Sequence, residues 1–210
     1  MSNPRKITAL LLSLCLLLPV TFSGCLRMSM ENSKTHSDVF QDAVDRIIDD
    51  LPDYDYPTQN LTLSDATTLE LVHVQYVIDG DTVEILYADG TVSIVRIIGI
   101  DCPETKKEGQ EGEFYANEAT EYAKSILLDK LVYLEKDHSD TDQYGRLLRY
   151  IWLAIPDSLD ASEIEAYNFS ALALSLGLAK AVSYGDDTKY ADLFFDLDAE
   201  AQASGIGMWS

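Results

Sequence analysis

Cysteine is scarce in this sequence, which holds only three, Cys15, Cys25 and Cys102. A small exported domain stapled by disulfides needs a denser, even-numbered set of cysteines, so that class of protein is excluded. Cys15 lies in an apolar leader and Cys25 at its end, which leaves Cys102 alone. The fold must therefore be held by a hydrophobic core, and 210 residues provide enough chain for one good core and an extension.

Long apolar runs are also lacking, except for one close to the N terminus. Arg5 and Lys6 precede the apolar run 7–20, and Ser23-Gly24-Cys25 follows it. A transmembrane helix is the alternative, but it needs ~20 apolar residues, and this run is shorter and interrupted by a serine and a proline. We therefore expect residues 1–24 to be a secretory signal peptide.

The small residues before Cys25 are typical of a bacterial or archaeal lipobox, in which the cysteine thiol is lipidated and becomes the new N terminus. We expect an exported protein anchored to the outer face of the cell membrane through Cys25. An ordinary signal peptide that happens to contain a cysteine is the alternative, and it would give a secreted protein. Residues 25–68 are expected to form a polar, acidic tether, in which apolar positions within 39–51 share one helical face. A partner-binding helix is the other interpretation of 39–51.

Basic residues are few, because 15 Lys and Arg stand against 36 Asp and Glu, for a formal net charge of −21. Such a balance argues against nucleic-acid partners, since Lys and Arg drive phosphate binding. However, eight of the basic residues lie within 96–149, together with only 12 of the acidic ones. Most of the negative charge thus lies outside this segment, where an acidic exterior favours solubility.

From Thr68 onward the sequence changes to short alternating runs rich in β-branched residues, which predict strands. We expect strands over 69–78, 82–87, 91–100, 131–135 and 147–153, and helices over 113–128, 162–176 and 190–203. This order fits an α+β fold, a five-stranded OB-fold barrel with about three packed helices, in a domain spanning residues 69–210.

Three short motifs carry charged side chains at the predicted strand ends. The first, Asp79-Gly80-Asp81, joins the first two strands, and the second runs from Arg96 through Asp101-Cys102-Pro103 to Glu104. The third, 142–149, brings Arg146 to the start of the fifth strand. Alone, the Asp-Gly-Asp turn is as well explained by ordinary hairpin chemistry. The three motifs in this order closely resemble the staphylococcal nuclease family, and the similarity continues to the C-terminal 207–210.

The resemblance implies a calcium site. Asp81 and Asp101 match the family's calcium-ligating aspartates, and the backbone carbonyl of Cys102 matches a third ligand, although the family usually has threonine there. Asp79 matches a further acidic neighbour of the metal. Calcium takes oxygen ligands and can neutralise a phosphoryl oxygen while positions remain open for substrate, so these carboxylates suit the chemistry.

The resemblance also implies three catalytic side chains, Arg96, Glu104 and Arg146. The two arginines match those that bind the scissile phosphate, which suits a planar fork that stays protonated. Glu104 matches a glutamate beside the attacking water. The amino-acid sequence does not decide whether Glu104 accepts a proton from that water or only orients it. The implied reaction is endonucleolytic hydrolysis of DNA and RNA to 3′-phosphorylated products, preferentially on single strands.

Further substrate contacts are expected at Tyr144, beside the phosphate, and at Lys106 and Lys107 in a loop beside the cleft. Each has an alternative, which is turn packing for Tyr144 and simple solvation for the lysines. We expect a monomer. Two other functions compete with the nuclease: a non-catalytic nucleic-acid or protein binding module that uses the same barrel, and a calcium-binding surface lipoprotein. Retention of both arginines and of Glu104 favours the enzyme.

Overall fold

The computed structural model describes residues 61–62, 68–105 and 112–210. The predicted signal peptide, Cys25, most of the tether, Lys106 and Lys107 lie outside these residues. The strands are β1 (Leu61–Thr62), β2 (Thr68–Asp79), β3 (Thr82–Leu86), β4 (Val92–Ile97), β5 (Ile100–Asp101), β6 (Leu131–Glu135), β7 (Leu147–Trp152) and β8 (Lys180–Ala181). The helices are α1 (Ala116–Leu127), α2 (Ala161–Tyr167), α3 (Phe169–Ser175) and α4 (Ala191–Ser204), followed by a 3₁₀ turn at Gly207–Trp209.

Five strands close into a barrel, as predicted. The strands β2, β3 and β4 form an antiparallel meander, β4 pairs in parallel with β7, and β7 pairs with β6. The antiparallel pairing of β6 with β2 closes the sheet, with Leu71 opposite Tyr133. This strand order and the helices packed on it make the chain an α+β protein with an OB-fold barrel.

Alternating apolar residues explain why these segments are strands. Val72, Val74 and Val77 of β2 are at most 2% exposed, and they pack with Val83 and Val95 from the neighbouring strands. Side chains alternate across a strand, so one β-branched face fills the barrel while the other faces helices or solvent. The helices α1 and α3 cover the barrel, and the aromatic rings of Tyr122 and Phe169 stack there with centroids 5.7 Å apart.

Two predicted elements are divided in the structure. The helix expected over 162–176 stops at Asn168, so the described residues contain four helices rather than three. Asn168 has an extended backbone and is fully buried, and its side-chain oxygen accepts from the Ser170 N–H at 3.0 Å, which caps α3. The strand expected over 91–100 is broken by a turn at Ile98-Gly99, after which β5 pairs with β8.

A buried carboxylate fastens the last helix to the barrel. Glu135 of β6 is fully buried and accepts from Trp152 Nε1 at 2.6 Å and from the Tyr190 hydroxyl at 3.0 Å. Lys189 Nζ lies 2.7 Å from Glu135 Oε1 and supplies the opposite charge. This network fixes the start of α4.

Among the described helices, none has the length and apolar character needed to cross a bilayer.

Candidate active site

The turn between β2 and β3 presents Asp81 to the interior edge of the barrel. Asp81 is only 6% exposed. Its Oδ1 accepts from the Thr82 hydroxyl at 2.9 Å, and its Oδ2 accepts from the Cys102 N–H at 2.8 Å. Asp79 shapes the same turn, because its Oδ1 accepts from the Asp81 N–H at 3.2 Å. These bonds leave Asp81 a single orientation.

Gly80 permits the close approach of β5 to this turn. A Cβ at Gly80 would lie 2.8 Å from both Cβ and Sγ of Cys102 and 3.0 Å from Cβ of Ala119. Contacts this short do not occur between carbon atoms in well-packed proteins. Glycine is therefore required here so that the Cys102 N–H can reach Asp81.

Arg96 joins Asp81 to Asp101. Its Nη2 lies 3.2 Å from Asp81 Oδ2 and 2.9 Å from Asp101 Oδ1, and its Nη1 donates to the carbonyls of Ile97 and Ile100 at 3.0 and 2.8 Å. The Arg96 side chain is 12% exposed, whereas that of Asp101 is 50% exposed. Four contacts thus hold the guanidinium in place, and both carboxylates contact the same nitrogen, Nη2.

The charge at Asp81 is incompletely neutralised. The pKa of its carboxyl is raised from 3.8 to about 7, mainly by burial and to a smaller extent by the neighbouring charge of Asp79. Arg96 and the hydrogen bond from Cys102 act in the opposite direction but do not outweigh burial. A second positive charge at this position would stabilise the ionised carboxylate.

Glu104 follows at the exposed end of the same segment. Its N–H donates to Glu113 Oε2 at 2.8 Å, and its carbonyl accepts from the Glu113 N–H at 3.0 Å. This pair of bonds closes the loop between β5 and α1 at its base. Cys102 and Pro103 are buried, whereas Glu104 is exposed.

The turn before β7 presents Arg146 and Tyr144. Asp142 organises it, since its Oδ1 accepts from the N–H groups of Tyr144 and Arg146 at 2.9 and 3.0 Å. Gly145, with φ of 82°, occupies the left-handed region that this tight turn requires. Arg146 Nε donates to Asp142 Oδ2 at 2.6 Å, and its guanidinium carbon lies 5.5 Å from the centroid of the Tyr144 ring. Tyr144 is 76% exposed.

Comparison with known proteins identifies the family. The family model described as "Staphylococcal nuclease homologue" matches residues 94–210, more than half of the chain. The chain belongs to the staphylococcal nuclease family. The match includes Arg96, Glu104 and Arg146, and it confirms both the resemblance and the prediction of an enzyme that hydrolyses phosphodiester bonds.

Individual relatives agree with this assignment. The thermonuclease of Staphylococcus intermedius is 36% identical over 136 residues, which cover 65% of this chain and 74% of that protein. The thermonuclease of Staphylococcus hyicus is 34% identical over 154 residues, or 73% of this chain and 83% of that protein. Endonuclease YncB of Bacillus subtilis strain 168 is 29% identical over 207 residues, covering 94% of this chain and 89% of that protein.

The structure brings some of the predicted site residues of this nuclease into direct contact. Asp81, Arg96 and Asp101 share one guanidinium, and the Cys102 backbone touches Asp81. Arg146, by contrast, bonds to Asp142. The positioning roles of Asp142 and Glu113 are not part of the sequence prediction. The spacing of Asp142 four residues before Arg146 is a signal for that pair, whereas nothing local indicates that Glu113 reaches Glu104.

The residues present fit a calcium ion in their chemistry. Within the described ranges no group of three or more His, Cys, Asp or Glu side chains is arranged to hold a metal. Two carboxylates, Asp81 and Asp101, do meet at one point, and both offer the hard oxygen atoms that calcium prefers. Burial raises the pKa of Asp81 to about 7, so a cation bound at this carboxylate would favour its ionised form. A calcium ion that takes its other ligands from water and substrate suits such a pair.

Proposed function

We propose that this protein is a calcium-dependent endonuclease that hydrolyses DNA and RNA to 3′-phosphorylated products, preferentially on single strands, and that it acts as a monomer. The observation that carries the proposal is the Arg96 guanidinium, held within 3.2 Å of Asp81 and 2.9 Å of Asp101. The carboxylates that would bind a cation thus lie next to an arginine that can bind phosphate. Hydrolysis of a negatively charged phosphodiester requires positive charge of both kinds at one position.

Arg96 and Arg146 bind the scissile phosphate in this mechanism. Arg96 enters the site from β4 and Arg146 from the start of β7, and these two strands are adjacent and parallel, with Val95 opposite Leu147. Two planar, permanently charged forks on neighbouring strands can hold different oxygens of one phosphate. Because both are anchored by carboxylates, little reorganisation is needed as charge develops on the phosphate.

Glu104 contacts the attacking water. Its backbone N–H and carbonyl are both bonded to Glu113, which fixes the backbone of this exposed residue three positions after Asp101. The carboxylate either accepts the proton of that water or only orients it. The Glu104→Gln variant separates these roles, since glutamine keeps a hydrogen bond but cannot take a proton.

Asp81, Asp101 and the backbone carbonyl of Cys102 would hold the calcium ion. When bound, the ion supplies positive charge to a phosphoryl oxygen and to the attacking water. The protein's own contribution is to hold the Asp81 carboxylate in one orientation through the Thr82 hydroxyl and the Cys102 N–H.

Activity in the presence of calcium and of EDTA tests the function. The protein should cleave single-stranded DNA in calcium, lose that cleavage in EDTA and regain it when calcium is restored, and the new ends should carry 3′ phosphates. Cleavage that persists in EDTA would contradict the metal assignment. A folded protein that binds the strand and never cleaves it would support the binding-module alternative.

The location outside the cytoplasm is proposed from the leader and Cys25. Expressed in a bacterial host, the protein should fractionate with membranes and incorporate a labelled fatty acid, and Cys25→Ser should abolish the label. Release of the unlabelled wild-type protein into the medium would instead indicate ordinary secretion.

A further inference from the structure

A cleft lies beside Asp101 and Cys102. Its volume is about 360 Å³, which lies within the range of small-molecule sites. Its lining residues are Asp101, Cys102, Pro103, Glu113, Phe114, Lys180 and Met208. The cleft is continuous with the site, because Asp101 and Cys102 belong to both.

Phe114 is the largest apolar side chain at this cleft, and it is 65% exposed. The next residue, Tyr115, is only 7% exposed and has φ of 67°, a backbone conformation that is costly for a bulky residue. The turn buries Tyr115 and directs Phe114 outward. The two rings meet edge to face, with centroids 4.8 Å apart, so Phe114 is braced while much of its surface stays accessible.

Two carboxylates and one lysine line the cleft, and both carboxylates already have partners. The carboxylate of Asp101 is paired with Arg96, and that of Glu113 accepts from the Glu104 N–H. Lys180, opposite Asp101 in the β5–β8 ladder, is exposed, and its Nζ lies 5.9 Å from the Trp209 ring centroid. A lysine and an exposed aromatic ring are the two elements that single-stranded nucleic acid sites combine.

Tyr144 and Phe114 are carried by different elements around β4. Along the sheet β4, which carries Arg96, lies between β3 and β7. Tyr144 and Arg146 belong to the β7 side. Phe114 precedes α1, which packs below the turn that holds Asp81 on the β3 side. A nucleic-acid strand bound in this way, with its phosphate at Arg96, would extend from Arg96 toward Tyr144 in one direction and toward Phe114 in the other.

We propose that this cleft binds the nucleoside on the side of the scissile phosphate away from Tyr144, with its base stacked on Phe114 and the adjoining phosphate near Lys180. The inference rests on the proposed nuclease function and adds a second base contact to it. Stacking accepts any base, so the subsite favours unpaired nucleic acid without reading its sequence.

The test uses short single-stranded DNAs with one cleavable phosphodiester among nuclease-resistant linkages. One substrate carries bases on both sides of that bond, and two others are abasic on one side or the other. We expect Phe114→Ala to lower kcat/KM about 5- to 10-fold on the complete substrate, the lower part of the range for base–aromatic stacking, because the ring is partly exposed. The loss should vanish on one abasic substrate, whereas the effect of Tyr144→Ala should vanish on the other.

Two further variants separate stacking from general damage. Phe114→Trp should keep the wild-type kcat/KM because it retains an aromatic face, whereas Phe195→Ala removes a 47% exposed ring on α4 and should change nothing. An equal loss with Phe114→Ala on all three substrates, or no loss on any, would overturn the subsite. So would dependence of Phe114 and Tyr144 on the same base.

Failure of the nuclease function gives a different result. If the wild-type protein cleaves none of the substrates, the function fails, and the subsite is then judged by the fluorescence anisotropy of the same labelled oligonucleotides. Weaker binding of the complete strand to Phe114→Ala, and equal binding of one abasic strand to both proteins, would support it. Unchanged binding by Phe114→Ala would overturn it.

Discussion

Replacing Gly80 with alanine should damage both the fold and the site, because no space exists for one methyl group. The new Cβ would meet Cys102 Cβ and Sγ at 2.8 Å and Ala119 Cβ at 3.0 Å. The sulfur can rotate away, but the two β-carbons are fixed by the backbone, so β5 or α1 must shift. Overpacking of this kind typically costs about 1–3 kcal/mol.

This cost gives a measurable change in melting temperature. For a domain of this size, 1 kcal/mol lowers Tm by about 2–4 °C, so Gly80→Ala should melt about 2–12 °C below the wild type. The shift also moves the Cys102 N–H away from Asp81, a bond of 2.8 Å in the wild type. We therefore expect the calcium concentration for half-maximal cleavage to rise as well.

Thermal unfolding by circular dichroism and calcium titrations of cleavage measure the two effects. Gly90→Ala is the control for the site: nothing lies within 4 Å of its new Cβ, but its φ of 86° is strained for alanine, so it should lower Tm and leave the calcium dependence unchanged. Adding Cys102→Ala to Gly80→Ala removes the sulfur contact and should recover part of the stability. If Gly80→Ala has the wild-type Tm and calcium dependence, the close approach of β5 to this turn is refuted.

Three other predictions follow from single contacts. Lys189→Met should lower the free energy of unfolding by about 2 kcal/mol in urea titrations, less than for a fully buried pair, because Lys189 is 29% exposed and Glu135 keeps its other donors. In the folded state two serine hydroxyls and a backbone N–H lower the pKa of Asp160 from 3.8 to about 2. Its stabilisation is thus complete above about pH 4 and lost as the pH falls to about 2, so the unfolding curves of wild type and Asp160→Ala should converge over that window. Asp142→Ala should slow cleavage about 10-fold and keep Tm within a few degrees of the wild type, because Arg146 loses its hydrogen bond of 2.6 Å to Asp142. An unchanged cleavage rate would show that Asp142 does not position Arg146.

The barrel can be predicted from the sequence because local residue patterns indicate its longer strands. The alternation of β-branched residues in 69–78 and the Asp89-Gly90 turn each specify their element without help from the rest of the chain. Asn168 shows where this fails, since an asparagine within a helical pattern gives no sign that it will be buried and cap a new helix. The two-residue strands β5 and β8 carry no pattern at all, as their pairing depends on the packed helices around them.

The sequence predicts which residues form the candidate site but not how they contact one another. Side-chain chemistry indicates that Asp81, Arg96 and Asp101 could act on a phosphate, and the family resemblance assigns their roles. That Arg96 bridges both carboxylates, and that the Cys102 N–H holds Asp81 from 21 residues away, are products of the closed barrel. The loop contact between Glu104 and Glu113 is equally non-local.

The central claim is that Arg96 binds the scissile phosphate beside the carboxylates that hold calcium. The most direct test compares cleavage of single-stranded DNA at saturating calcium by the wild type, Arg96→Ala and Lys124→Ala, a surface variant that removes a positive charge 2.8 Å from Glu121. We predict a loss of about 10²-fold or more in kcat for Arg96→Ala and none for Lys124→Ala. A folded Arg96→Ala protein that cleaves at the wild-type rate would contradict the account.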